Sequence, residues 1–79
     1  MKIQNLQIGQ TITHYCSGKI VEGKIIEKTA DGVITEHEPV RWGNDTYTRT
    51  TVHKSTYLQA KYVNPVTPAA WYNGKPLTV

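Results

Sequence analysis

The sequence predicts a small all-β domain, folded as a barrel or as a strongly bent antiparallel sheet. Residues 11–16 alternate strictly between two sets of side chains, which is the pattern of a half-buried strand. Residues 19–28 are rich in β-branched side chains, which favour extended backbone. The Asp31-Gly32 pair that follows is typical of a tight hairpin turn. At 79 residues, the chain is long enough for one such domain and too short for two.

The second predicted strand carries apolar side chains on both of its faces. Val21 and Ile25 share one face, whereas Ile20 and Ile26 share the other. Gly23 lies at the centre of this pattern, and a central glycine between two apolar faces predicts a bend or a bulge. Bent strands of this kind form the corners of small barrels.

The chain after the hairpin predicts two more strands, separated by a loop. Residues 33–37 form the partner strand of the hairpin. Pro39 lacks the backbone donor that a strand ladder needs, and we therefore expect a loop over residues 38–45. Residues 46–53 alternate again, with threonine and tyrosine predominating, so we expect a fourth strand whose burial is shallow. Residues 55–62 are compatible with a short strand or with one turn of helix.

The predicted organisation is a small β-barrel domain over residues 1–63 and an irregular tail over residues 64–79. The tail contains three prolines, which disfavour a helix or a central strand. It also contains Trp71 and Tyr72. We expect the tail to fold back and pack these rings onto the domain, because large aromatic side chains are seldom left in water. The alternative is a tail that projects as a polyproline-like recognition segment.

Three segments carry a resemblance to a known fold family: residues 8–12, 19–26 and 31–34. Their spacing resembles the opening of a Src-homology-3-like (SH3-like) or KOW-type small barrel, in which a bent second strand leads through a tight hairpin to the third. The resemblance implies binding through the loops and one sheet face, often with aromatic residues. The sequence lacks the acidic-plus-aromatic loop of the peptide-binding members, so proline-rich peptide recognition is not implied.

Composition and charge limit the classes of function. Hydrophobic residues make up 38% of the chain and charged residues 19%, which is typical of a folded protein. The net charge of +3 and the pI of about 9.1 mildly favour anionic partners. We expect no membrane partner, because the sequence has neither a long apolar stretch nor a run of basic residues. Residues 1–6 lack an apolar signal core, so we expect a cytoplasmic protein.

Catalysis and metal binding are not predicted. The only cysteine, Cys16, is a candidate nucleophile with His14, His37 or His53 as its base. His14 and Cys16 share one strand face about 7 Å apart, which is too far for a direct hydrogen bond. We therefore expect Cys16 to be a small buried hydrophobe in a protein that is not an enzyme. A metal site at His14, Cys16, His37 and Glu36 would need neighbouring first and third strands and lacks a ligand-spacing signature, so we expect no metal and no cofactor.

A cluster of arginine and aromatic side chains is the most informative feature for binding. Both arginines of the chain lie within nine positions, beside an indole and a phenol. Guanidinium groups suit phosphates and carboxylates, and aromatic rings stack on bases. Acidic neighbours weaken the positive field, and the alternative is a structural tryptophan with arginines paired to those acids. The candidate binding residues are Arg41, Trp42, Tyr47 and Arg49, with Trp71 and Tyr72 of the tail as a rival surface.

We expect a non-catalytic binding module, and nucleic acid is the leading partner because of the basic charge and the arginine–aromatic cluster. The alternative is a protein-interaction module, such as a small phage or mobile-element regulator or inhibitor of a larger host protein. The tyrosine- and tryptophan-rich composition and the proline-laced tail favour this alternative. A third alternative is a homo-oligomer formed through exposed strand edges.

Overall fold

The computed structural model describes residues 1–16, 18–42, 46–58 and 70–79. Within these residues the protein is all-β, as predicted, and its six strands form one open antiparallel sheet of order β4-β3-β2-β1-β5-β6. A 3₁₀ turn, Ile3–Asn5, precedes the sheet, and a four-residue helix, α1 (Ser55–Leu58), follows the fourth strand. The strands are β1 (Thr11–Cys16), β2 (Lys19–Thr29), β3 (Gly32–Trp42), β4 (Thr46–Lys54), β5 (Ala70–Tyr72) and β6 (Lys75–Pro76).

The long β2 strand divides its pairing between two neighbours. From Lys19 to Lys24 it pairs with β1, and from Lys24 to Thr29 it pairs with β3. Its one register shift against β3 lies between Ile25 and Glu27, and not at Gly23, where the sequence predicted a bend or a bulge. Gly23 is required for another reason, the close approach of side chains from β1 and β3 that is described below.

The β3 strand continues through Pro39 as far as Trp42, so the prediction of a loop beginning at residue 38 was wrong. The strand tolerates the proline because its register with β4 shifts between Glu36 and Val40. Residues 37–39 consequently lie opposite Arg49 alone. A proline in such a bulge has no ladder hydrogen bond to lose. The predicted alternation of the fourth strand corresponds to β4.

The described part of the tail joins the sheet. Ala70–Tyr72 pairs with β1, and a turn at Asn73 and Gly74 returns the chain as β6. Both turn residues have positive φ, 51° and 79°, which matches a tight hairpin turn. Residues 70–76 thus contain two short strands where an irregular tail was expected, and residues 64–69 lie outside the described ranges. In the described ranges, no helix has the length and hydrophobicity that crossing a bilayer requires.

The hydrophobic core combines side chains from both ends of the chain with the central strands. The terminal segments are also hydrogen-bonded, since the Ile3 amide donates to the Thr78 carbonyl at 2.8 Å and the Thr78 amide donates to the Met1 carbonyl at 3.0 Å. This arrangement places the core at one end of the curved sheet and leaves a polar layer beyond it. The core residues are Ile3, Leu6, Ile12, Ile25, Val33, Ala70 and Leu77.

Candidate functional site

One face of β4 leads from the core to water. Tyr47, Arg49, Thr51 and His53 occupy alternate positions and therefore share this face. His53 is buried and pairs with Val33 of the core, whereas Thr51 is half-buried and the other two are exposed. The same face therefore passes from apolar core through a polar layer to a charged opening.

The polar layer, which we call the histidine layer, brings all three imidazoles of the protein together. The ring centroids of His14 and His53 are 4.4 Å apart, and those of His14 and His37 are 5.3 Å apart, both in edge-to-face geometry. All three histidines are buried. The layer consists of His14, Cys16, Thr35, His37, Thr51 and His53.

The Thr35 hydroxyl joins two of the rings. Its Oγ1 lies 3.1 Å from His14 Nε2 and 3.0 Å from His53 Nε2. His14 Nδ1 contacts the Tyr15 carbonyl at 3.0 Å and must be the protonated nitrogen, because a carbonyl only accepts. In the neutral ring His14 Nε2 is then an acceptor. The network assigns the direction: His53 Nε2–H donates to Thr35, and the Thr35 hydroxyl donates to His14.

A second chain of hydrogen bonds runs beside the first. His37 Nδ1 donates to the Glu38 carbonyl at 2.9 Å, so its Nε2 accepts from the Thr51 hydroxyl at 2.7 Å. The Thr51 hydroxyl also contacts the Cys16 sulfur, at 3.7 Å. With both chains in place, no buried side-chain nitrogen or oxygen among the described residues lacks a partner.

Two imidazoles of the histidine layer, those of His14 and His53, are held in their neutral forms. Burial lowers the pKa of His14, and the nearby His37 lowers it further, against the raising effect of the Tyr15 carbonyl. Burial also lowers the pKa of His53 to about 4, with smaller contributions from His14 and His37. Removing an imidazolium from water costs more than these hydrogen bonds return. His14 and His53 therefore act as packed polar groups of the interior and add no positive charge at pH 7.

Gly23 makes room for this layer. A Cβ at this position would lie 2.5 Å from His14 Nε2 and 2.7 Å from the Thr35 Cβ. Contacts this short are not seen between real side chains, so any larger residue would push the hydrogen-bonded pair apart. β2 thus passes over the layer at the one residue that has no side chain.

An open cleft lies beside the histidine layer, where β2 and β3 separate. It has a volume of about 870 Å³, within the range of about 300–1,000 Å³ typical of ligand pockets. Ile20 and Val21 line one wall, Pro39 lines the other, and the buried ring of His37 contributes to the floor. The charged side chains of the lining are Glu22, Lys24, Glu36, Glu38 and Arg49.

Three of the four predicted arginine–aromatic residues come together. Arg41 and Tyr47 are register partners on β3 and β4, and Arg49 lies two residues further along the same face of β4. Tyr47 is 59% exposed, and Arg49 also lines the cleft. Trp42 ends β3, and its side chain lies outside the described part of the structure.

The rival surface at Trp71 and Tyr72 is divided between two roles. The Trp71 ring makes an edge-to-face contact with Tyr15 at 5.5 Å, and both rings are partly exposed. Tyr72 instead packs against the core and accepts a hydrogen bond from Gln10 Nε2 at 3.2 Å. Trp71 therefore remains a candidate for binding, while the Tyr72 contacts are internal to the domain.

The histidine layer was missed by sequence reasoning, which considered the histidines only as candidate bases or metal ligands. A signal was present, because His14 alternates with Ile12 and Cys16 on the buried face of β1. β1 and β3 are not neighbours in the sheet, yet its curvature brings His14 and His37 together. Glu36 is exposed, and no group of three or more His, Cys, Asp or Glu side chains in the described ranges is arranged to hold a metal ion.

Comparison of the chain with protein families, characterised proteins and solved structures finds no match. The interpretation of the cleft therefore depends on its own geometry and chemistry.

Acidification should destabilise the protein between pH 6.5 and about pH 4. The folded pKa of His53 is about 4 against 6.5 when unfolded, so its contribution is complete above pH 6.5 and is lost as the pH falls to about 4. We expect a loss on the order of 3 kcal/mol over this window, measured by urea denaturation. A His53→Gln variant retains an N–H donor without a titrating ring and should show a flatter profile. Identical profiles for the two proteins would contradict the assignment.

Gly23→Ala should destabilise the fold by about 2 kcal/mol or more, because the new methyl group meets His14 and Thr35. Glu22→Ala is the control, since the neighbouring side chain is exposed and its loss should change stability by less than about 0.5 kcal/mol. Thermal or urea unfolding measures both variants. Equal stability of Gly23→Ala and the wild type would show that the close approach at Gly23 is not a constraint.

Proposed function

We propose that this protein is a non-catalytic protein-interaction module that holds a segment of a partner protein in the cleft between β2 and β3. The proposal is carried by one observation. The pairing of β2 with β3 ends at Lys24 and Glu36, and the two strands separate beyond this pair to form the cleft. Ile20 is 61% exposed beside the open volume of about 870 Å³. Contiguous exposed apolar side chains mark interaction sites, and Ile20 is the cross-strand neighbour of the exposed Tyr15.

An aromatic strip extends the apolar wall of the cleft. Ile20 is the register partner of Tyr15, and Tyr15 contacts the Trp71 ring. Tyr15 is 39% exposed and Trp71 is half-buried, so both offer apolar area that a partner can cover. Tyrosine, tryptophan and arginine are the residue types that contribute most to protein interfaces.

The charges of the cleft favour a protein over a polyanion. Its lining has three carboxylates and two cationic side chains. Lys24 and Glu36 are cross-strand partners, and Glu22, Glu38 and Arg49 are the other charged side chains of the lining. A phosphate backbone in the cleft would meet repulsion from these carboxylates, whereas a polypeptide can present a matching charge to each.

The surroundings of Cys16 support a non-catalytic role. The residue is 8% exposed, and its thiol contacts Thr51 inside the histidine layer. The imidazole nearest the cleft, His37, has both nitrogens occupied by internal hydrogen bonds. A nucleophile and base would have to leave these partners before reaching a substrate.

The connectivity supports a proposed SH3-like or KOW-type origin of the fold. A long β2 shared between β1 and β3 is followed by a hairpin, a helical turn and a strand that returns to β1. The SH3-like or KOW-type fold suggested by residues 8–12, 19–26 and 31–34 therefore stays a proposal.

Nucleic-acid binding is the second candidate function. Arg41 opposite Tyr47, with Arg49 on the same face, supports it. A base stacked on the exposed phenol would place its phosphates near the two guanidinium groups. This surface adjoins the acidic side of the cleft, and for that reason we rank it second.

A displayed library of random dodecapeptides tests the first candidate. The wild-type domain should enrich a peptide family, and Ile20→Asp should reduce binding of those peptides at least tenfold by placing a charge in the apolar wall. Ile26→Asp is the matched control, because Ile26 is exposed on the same strand and does not line the cleft. No enrichment, or equal losses in both variants, would contradict a peptide-binding cleft.

Fluorescence anisotropy with a labelled single-stranded oligonucleotide tests the second candidate. If it is correct, binding at low salt should weaken several-fold on Tyr47→Ala, because one stacking platform contributes about 1–3 kcal/mol. Thr50→Ala, on the opposite face of β4, should leave binding unchanged. The affinity should also fall steeply with added salt. An affinity independent of Tyr47 and of salt would exclude this surface as a nucleic-acid site.

A further inference from the structure

We propose that the partner segment binds as an added β-strand, hydrogen-bonded to the backbone of Ile20 and Glu22 on the open edge of β2. This inference rests on the proposed function and names the binding mode and the kind of segment. The expected occupant is a single extended segment of another protein, with an apolar and a basic side chain two positions apart.

The direction of the β2 backbone groups follows from two hydrogen bonds at one residue. The Ile25 amide donates to the Gln10 carbonyl at 2.8 Å, and the Ile25 carbonyl accepts from the Gly9 amide at 2.8 Å. Ile25 therefore directs both of its backbone groups towards the β1 side. Successive residues of an antiparallel strand direct these groups to opposite edges. The groups of Ile20 and Glu22 must consequently face away from β1.

The edge of β2 that faces away from β1 is paired only as far as Lys24. Lys24 pairs with Glu36. From Lys19 to Gly23, no strand of the described chain pairs with that edge. Ile20 and Glu22 thus present two N–H and two C=O groups to the cleft. Unpaired edge groups of this kind are templates for strand addition.

The opposite side of the cleft cannot close the gap by itself. Residues 37–39 bulge out of the ladder, Pro39 has no amide hydrogen, and the Glu38 carbonyl already accepts from His37. The open edge also lies inside the sheet rather than at its flank, with β3 and β4 beyond it. A single extended segment can enter such a gap, whereas the edge of a second folded sheet would collide with those strands.

The side chains around the edge specify the occupant. On an added strand, a residue opposite Ile20 would share its face with the Tyr15 ring and should be apolar. A residue opposite Glu22, two positions away, would meet a carboxylate with Glu38 lining the other side of the cleft. The described lining has three carboxylates against Lys24 and Arg49, so a lysine or arginine is favoured there. Between these two, a small residue would face Val21 and His37.

Amide hydrogen exchange measured by NMR tests the binding mode, with the enriched dodecapeptide as the probe. In the free protein, the Ile20 and Glu22 amides should exchange quickly, while the Val21 amide, directed at β1, exchanges slowly. Saturating peptide should slow exchange at Ile20 and Glu22 at least tenfold. Glu22→Pro, which removes the amide hydrogen on the cleft side, should weaken peptide binding at least tenfold more than Glu22→Ala, which removes the carboxylate alone.

The outcomes separate the two proposals. Failure to enrich any peptide would overturn the proposed function and the strand addition with it. An enriched peptide that leaves both amides unprotected would overturn strand addition alone. Slow exchange at Ile20 and Glu22 in the free protein would also overturn strand addition, because it would show that the edge is already covered. The wild-type exchange data decide the question even if Glu22→Pro fails to fold.

Discussion

The hydroxyl group of Thr35 couples the packing of four strands. It joins His14 of β1 to His53 of β4 from its own position on β3, and β2 passes it at Gly23. A register slip of one residue in any of these strands would turn the buried side chains of that strand to the opposite face of the sheet. Buried imidazoles would then lose their partners, at about 1–3 kcal/mol for each unsatisfied group. A polar contact in the interior therefore specifies the register of the sheet more strictly than the apolar core alone can.

The shape of the cleft depends on the same layer. His37 is held on one side by Thr51 and on the other by the Glu38 carbonyl, which belongs to the bulge. This bulge carries β3 away from β2 and leaves the β2 edge open. The open edge is thus supported by buried, fully hydrogen-bonded groups, so its geometry is set before any ligand arrives.

Local patterns determined which parts of the fold were predictable. Alternation and the Asp31-Gly32 signal placed the first three strands, because both lie within a few residues. The turn itself was displaced by one residue, since it lies at Ala30 and Asp31, and Gly32 begins β3. The continuation of β3 through Pro39 depends on its register with β4, which no local pattern contains. The histidine layer depends on sheet curvature that joins non-neighbouring strands. Arg41, Tyr47 and Arg49 are close in sequence, but only the strand register shows that they share a face.

Gly23 and the histidine layer also define a sequence fingerprint for relatives of this protein. The residues that must change together are His14-x-Cys16, Gly23, Thr35-x-His37 and Thr51-x-His53, where x is any residue. A hydroxyl-x-imidazole pair occurs on both β3 and β4, and each supplies one link of the buried chains. Loss of one member leaves a cavity or an unpaired donor that a second substitution must repair. Related chains too divergent for overall identity to detect should therefore retain this spacing or replace it as a set.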